Sequence, residues 1–244
     1  MTKAVSPADK NNPLFLALDV SDIDLAVRTA NKLKPHIGGI KLGMEFFYNF
    51  GTDGYERIRE TGLPIFLDLK LYDIPATVSA AVRTLARLSP ALLTIHASGG
   101  IEMMRAASLA AKEADTPPRI VAVGMLTSLE DADLEREGIP QTAEIRTRHL
   151  ADNATEAGMD AFVCSPKEIT PLRERLGGDV LLITPGIRPE GAKANDQKRT
   201  MTPEEAYRLG ADILVIGRPI LHAGNPEAAA REISESLRPH RSGK

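Results

Sequence analysis

Short apolar runs alternate with longer amphipathic stretches along almost the whole chain. Eight of the runs predict strands: Leu14–Val20, Gly39–Leu42, Ile65–Lys70, Leu92–His96, Ile120–Gly124, Ala161–Cys164, Val180–Thr184 and Ile213–Ile216. Most are nearly unbroken rather than alternating, as parallel strands covered on both faces are. Between them the apolar positions take helical spacing. Asp22–Leu33 carries Ile23, Ala26, Val27, Ala30 and Leu33, and Pro75–Leu88 and Ile101–Glu113 follow the same rhythm. Thr202 precedes Pro203–Leu209, where a threonine cap before a first-position proline starts a helix. Gly158-Met159-Asp160 and Gly210-Ala211-Asp212 stand directly before strands, where a helix-ending turn is needed.

Eight β and about eight α units in strict alternation, within 244 residues, predict an α/β chain folded as a single (β/α)8 barrel domain, the TIM-barrel architecture. A doubly wound open sheet is the alternative. It is weakened because Asp19-Val20-Ser21-Asp22, and no G-x-G-x-x-G, opens the first helix. No low-complexity segment or linker divides the chain. Its ordered core is expected over about 13–237, with Met1–Asn12 and Arg238–Lys244 as end segments. The longest irregular stretch within the fold, Pro185–Thr200, has a length that suits an active-site lid.

Composition works mainly by exclusion. Thirty Lys and Arg against 33 Asp and Glu leave a net charge of −3, which gives no electrostatic reason to expect nucleic acid or an anionic membrane. Runs such as Ile213–Ile216 fall far short of the about 20 apolar residues that span a bilayer. The first twelve residues are polar and contain no signal-peptide core. Cys164 is the only cysteine, so neither an intrachain disulfide nor a cysteine-clustered metal site can form. The reading is a soluble cytoplasmic protein.

Active sites of such barrels lie at the C-terminal ends of the strands, and charged residues collect there. Asp19 follows strand one, Lys41 lies in strand two, Asp68 and Lys70 close strand three, and His96 closes strand four. A charge inside a barrel is costly unless paired, so adjacent strands carrying four of them imply one compensated cluster. Asp68 and Lys70 are two apart and share a side of their strand, while Asp73 falls just beyond it. A salt-bridge network without chemistry would explain any one of these charges. Lys41, Asp68, Lys70 and Asp73 together favour a reactive site. After strand eight, Ile216-Gly217-Arg218-Pro219 offers a phosphate grip of backbone N–H groups and a bidentate guanidinium. The lid segment adds Arg188, Lys193, Gln197, Lys198 and Arg199. Thr127 and Ser128 are placed at the end of strand five, with a helix cap the competing role for Ser128. His96 has no neighbouring nucleophile in sequence and reads as supporting or structural. His36, His149, His222 and His240 are isolated, and no spacing argues for a metal.

The stretch Phe66-Leu67-Asp68-Leu69-Lys70-Leu71-Tyr72-Asp73-Ile74-Pro75-Ala76-Thr77-Val78 resembles the signature of the orotidine 5′-phosphate decarboxylases. Ala17-Leu18-Asp19, Ile40-Lys41-Leu42-Gly43, Leu126-Thr127-Ser128, Thr184-Pro185-Gly186-Ile187-Arg188, Asp196-Gln197-Lys198-Arg199 and Ile216-Gly217-Arg218-Pro219 match in the same order. The D-x-K-x-x-D core alone is shared with magnesium-dependent phosphosugar decarboxylases and aldolases of the superfamily. Those enzymes typically carry a glutamate serving the metal where Lys41 stands here.

The resemblance implies cofactor-independent decarboxylation of orotidine 5′-phosphate to uridine 5′-phosphate in pyrimidine synthesis, without metal. Lys70 would donate the proton to C6, Asp68 would sit by the departing carboxylate, and Lys41 would complete the charged network. Asp19 and Lys41 would bind the ribose and Thr127 the pyrimidine edge. Pro185, Arg188, Gln197, Gly217 and Arg218 would surround the phosphate. Asp73 and Thr77 would come from the other subunit of a homodimer. A barrel that binds a phosphate ligand without turnover is the remaining alternative, and it leaves the Lys70 cluster unexplained.

Overall fold

A computed structural model of the chain describes residues 12–189 and 201–238. Eight parallel strands close into a barrel in sequence order, each pairing with the next and β8 with β1. They are β1 (Leu14–Ala17), β2 (Gly39–Gly43), β3 (Ile65–Leu71), β4 (Leu92–His96), β5 (Arg119–Val123), β6 (Ala161–Val163), β7 (Leu181–Thr184) and β8 (Ile213–Ile216). The helices are α1 (Ile23–Leu33), α2 (Met44–Arg59), α3 (Pro75–Ala86), α4 (Gly100–Lys112), α5 (Asp131–Arg136), α6 (Ala143–Glu156), α7 (Ile169–Leu176), α8 (Pro203–Leu209), α9 (Arg218–Leu221) and α10 (Pro226–Leu237). The expected (β/α)8 barrel is therefore the fold. Among the described residues no helix is long and apolar enough to cross a membrane.

Unbroken apolar strands have two buried faces to fill, and the core divides accordingly. Phe15, Ala17, Phe66, Leu92, Val121, Ala161, Ile183, Ile213 and Val215 pack together in the barrel interior. Their neighbours along the strands, such as Leu14, Leu16, Ile40, Leu42, Leu67, Leu93 and Ile95, pack outward against the helices. Alternation on each strand sends odd and even residues to different cores. Gly39 is what lets Phe15 fill the floor of the barrel, because a Cβ there would overlap the Phe15 ring.

Helix ends follow local chemistry. Asp22 caps α1 by accepting from Leu25 N–H at 3.0 Å, and Thr202 caps α8 by accepting from Glu205 N–H at 3.3 Å. Gly210 ends α8 with φ of 115°, a conformation that a side chain would resist. α2 is absent from the periodicity reading, since it bends at Gly51 (φ 58°) and mixes aromatic with charged positions. β1 is shorter than expected. It ends at Ala17, although Leu18 N–H still donates to the Lys41 carbonyl at 3.0 Å, and Asp19 therefore stands in the loop beyond the strand. At the bottom of the barrel Asn12 is tied down, its side-chain amide donating to the His36 carbonyl at 2.8 Å and to Ser234 Oγ at 3.1 Å.

Candidate active site

The interior is apolar up to the level of Phe66 and Ala17 and charged above it. Lys41 lies two residues above Gly39 on β2, and Asp68 lies two above Phe66 on β3, so both inherit the inward direction of the residues below. They meet in a chain of alternating charge. Lys70 Nζ donates to both carboxylate oxygens of Asp68, at 2.8 and 2.9 Å. Lys41 Nζ stands 3.9 Å from the same carboxylate and 3.3 Å from Asp19 Oδ1. Asp68 and Lys41 side chains are each 13 % exposed, so these charges interact under little solvent screening, whereas Asp19 sits at the wet end. Gly43 makes room for the pair, because a Cβ there would come within 2.8 Å of Lys41 Nζ.

The reason Asp68 and Lys70 stand forward lies in the backbone. Between Leu67 and Leu71 the β3–β4 register slips: Leu67 faces Leu93 and Leu71 faces Ile95, so four steps along β3 oppose two along β4. The extra residues form a bulge, a device that re-aims side chains at barrel rims. Lys70 takes φ of 49° in it, one of two non-glycine residues with positive φ among those described. Its N–H, out of ladder register, donates to Thr94 Oγ1 at 2.7 Å.

A cavity of about 540 Å3 opens over this cluster. Asp19, Lys41, Asp68, Lys70, Thr127, Pro185, Arg188, Gly217 and Arg218 all line it, so residues spread over two hundred positions of sequence face one space. Arg188 is nearly buried and its backbone N–H donates to the Met201 carbonyl at 2.9 Å. A parallel bridge between Ile187 and Met201 fixes the neighbouring backbone at this rim. Gly217 approaches β1 closely, where a Cβ would meet that of Ala17 at 3.1 Å.

Other expected positions fall elsewhere. Thr127 lies in the turn beyond β5, not at the strand end, because β5 finishes at Val123. Ser128 is not a cap either: α5 is capped by Glu130, paired with Asp133. Asp73 and Thr77 are exposed and stand outside the cavity lining of their own chain. The Asp73 carboxylate accepts from the adjacent Ile74 N–H at 2.6 Å. Gln197, with Lys193, Lys198 and Arg199, lies outside the described residues.

Glu45 and His222 line the cavity without having been singled out for it. Neither had a local sequence signal, since Glu45 opens a helix that the periodicity missed and His222 stands alone. Thr94 did have one, as a lone hydroxyl within the apolar run Leu92–Ile95. His96 is half-buried above Thr94, its Nδ1 accepting from Ser98 N–H at 3.2 Å and its ring 5.6 Å from that of Tyr72. Burial first, then the Lys70 and Arg146 charges, hold its pKa below the ordinary imidazole value. Buried Cys164 is driven the other way, to about 12, by desolvation, and makes an inert thiol.

Comparison with known proteins points the same way as this geometry. The family described as "Orotidine 5'-phosphate decarboxylase / HUMPS family" matches residues 12–233. The orotidine 5'-phosphate decarboxylase of Thermobifida fusca is 49 % identical over 92 % of this chain and 95 % of its own. That of Novosphingobium aromaticivorans is 48 % identical over 93 % of this chain and all of its own. The crystal structure of the Lactobacillus acidophilus orotidine 5'-phosphate decarboxylase superposes with a TM-score of 0.82 at 36 % identity, covering 93 % of this chain and 99 % of that one. With its charged barrel mouth and these matches over nearly its whole length, the chain belongs to the orotidine 5′-phosphate decarboxylase / HUMPS family.

Proposed function

We propose that the chain is a carboxy-lyase that converts orotidine 5′-phosphate to uridine 5′-phosphate without a cofactor, as a step of pyrimidine nucleotide synthesis in the cytoplasm. One observation carries the reading: the Lys70 ammonium lies on both oxygens of Asp68 in a cavity that Arg188 and Arg218 also line. A proton donor on a carboxylate, and guanidiniums for a phosphate, are what the reaction needs. The bond from C6 of the pyrimidine to its carboxylate breaks, the electron pair stays on C6, and carbon dioxide leaves. Lys70 Nζ stabilises the developing negative charge and then gives C6 its proton. Asp68 holds Lys70, and its charge opposes the substrate carboxylate until that group departs as a neutral molecule. Lys41, between Asp19 and Asp68, joins Asp19 on the ribose hydroxyls, and Thr127 faces the pyrimidine edge. Pro185, Arg188, Gly217 and Arg218 form the phosphate end. Binding energy gained there, far from the broken bond, assembles the charged end around C6. A divalent ion at the Lys41 position would meet an ammonium, which disfavours the magnesium chemistry of the phosphosugar branch.

The site is completed by a second copy of the chain. Residues 72–77 form a continuous exposed run directly after β3, with Tyr72 63 % and Ile74 66 % exposed. Met44 and Tyr48 are exposed just after the neighbouring β2. Covering these apolar groups in a homodimer would carry Asp73 and Thr77 to the partner's cavity.

The ultraviolet absorbance of orotidine 5′-phosphate changes on decarboxylation and reads the reaction directly. Wild-type protein is expected to turn it over, to do so equally after exhaustive chelation, and to lose turnover on Lys70→Ala while remaining folded. Activity lost on chelation and restored by magnesium would move the chain to the phosphosugar branch. Unchanged absorbance with bound ligand would make it a binding protein.

A further inference from the structure

Thr94 is fully buried, lies beneath the cavity without lining it, and touches both halves of the reactive pair. Its Oγ1 accepts the Lys70 N–H at 2.7 Å and lies 3.1 Å from Asp68 Oδ1. An ionised carboxylate only accepts, so the single hydroxyl hydrogen goes to Asp68 and a lone pair takes the amide. Both bonds fall where the strand ladder fails, inside the β3 bulge that holds Lys70 at φ of 49°. A left-handed lysine persists only where its surroundings over-determine it. Main-chain register offers Lys70 no partner here, and Thr94 supplies one from the adjacent strand. On the functional reading given above, we propose that Thr94 is a positioning residue: its hydroxyl clamps the Lys70 backbone and the Asp68 carboxylate in one arrangement, and thereby sets the proton donor against C6.

The clamp acts on the reacting end alone. Arg188, Gly217 and Arg218 belong to other strands' loops, so ground-state affinity should not depend on it. Three variants separate hydroxyl from shape: Thr94→Ser keeps the oxygen, Thr94→Val keeps the volume, and Thr94→Ala keeps neither. Steady-state turnover of orotidine 5′-phosphate and binding of uridine 5′-phosphate are measured for each, with thermal melts to establish folding. Thr94→Ser is expected within about threefold of wild type in kcat. Thr94→Val and Thr94→Ala are expected to lose kcat on the order of 10²-fold, the usual consequence of a reacting group displaced by about 1 Å. KM and product affinity should stay within about threefold, a split that general destabilisation would not produce. A folded Thr94→Val or Thr94→Ala with near-normal kcat overturns the proposal. So does the failure of both to fold, which would make the hydroxyl an element of stability. A wild-type protein without turnover would sink the functional reading and the clamp together, whereas an active wild type with active hydroxyl-free variants would sink the clamp alone.

Discussion

Lys70 is held in a backbone conformation that costs a non-glycine residue about 1–2 kcal/mol, and it is also the residue proposed to deliver the proton. Strain of this kind is found where the surrounding structure needs a side chain aimed against local preference. His96, whose ring is half-buried near Lys70, has a different cost. Its folded pKa lies below the unfolded value of about 6.5. As the pH falls through that unfolded value the unfolded chain takes up a proton that the folded one resists. The stability that His96 contributes is therefore complete at neutral pH and is lost progressively below about 6.5. Urea midpoints measured between pH 7 and 5 should decline less steeply in His96→Asn, whose side-chain oxygen can still accept from Ser98 N–H. Equal slopes in the two proteins would show that this imidazole titrates normally.

At the level of elements, packing inside the barrel depends on where glycine stands opposite an aromatic ring. β2 offers Gly39 at the level of Phe15, so the ring from β1 crosses the floor of the barrel unobstructed. Gly39→Ala would force Phe15 off its position in a core with little slack. Overpacking of this kind typically costs about 1–3 kcal/mol. A urea titration should register that loss as a lower midpoint with unchanged cooperativity. An unaltered midpoint would mean that the floor can rearrange freely. Two steps higher on the same strand stands Lys41, and two higher again Gly43, which leaves space for the Lys41–Asp19 pair. One strand thus alternates glycine, lysine and glycine to seat a ring below and a charge above.

For the whole molecule, the proposed dimer would bring the exposed Asp73 and Thr77 of one chain to the cavity of the other. Two defective proteins, Lys70→Ala and Asp73→Ala, test this. If each site takes Lys70 from one chain and Asp73 from the other, a heterodimer collects both defects in one site and leaves the other intact. Random exchange makes about half of the dimers mixed, so roughly a quarter of wild-type activity per site should return. Mixing the two under conditions where differently tagged subunits are seen to exchange measures it. If exchange occurs and no activity returns, Asp73 serves its own chain.

Much of this was legible in the chain itself because strand and helix periodicities are local. Doubly buried strands must be apolar throughout, so all eight strands of the barrel could be read, and strand-end charges such as Lys41, Asp68 and Lys70 marked the mouth. The Thr202 cap was equally visible, since its hydrogen bond spans three residues. The tertiary structure alone decided what depends on register between strands. The bulge at Asp68–Lys70 exists only because β3 and β4 pair out of step, and the Thr94 clamp exists only because that slip leaves an N–H facing a hydroxyl 24 positions away. Closure of the barrel likewise brought Glu45 and His222 to the cavity, though neither had neighbours in sequence to signal it. Local preference writes the elements into the order of residues, whereas a site is an agreement between distant residues that only the closed fold can make.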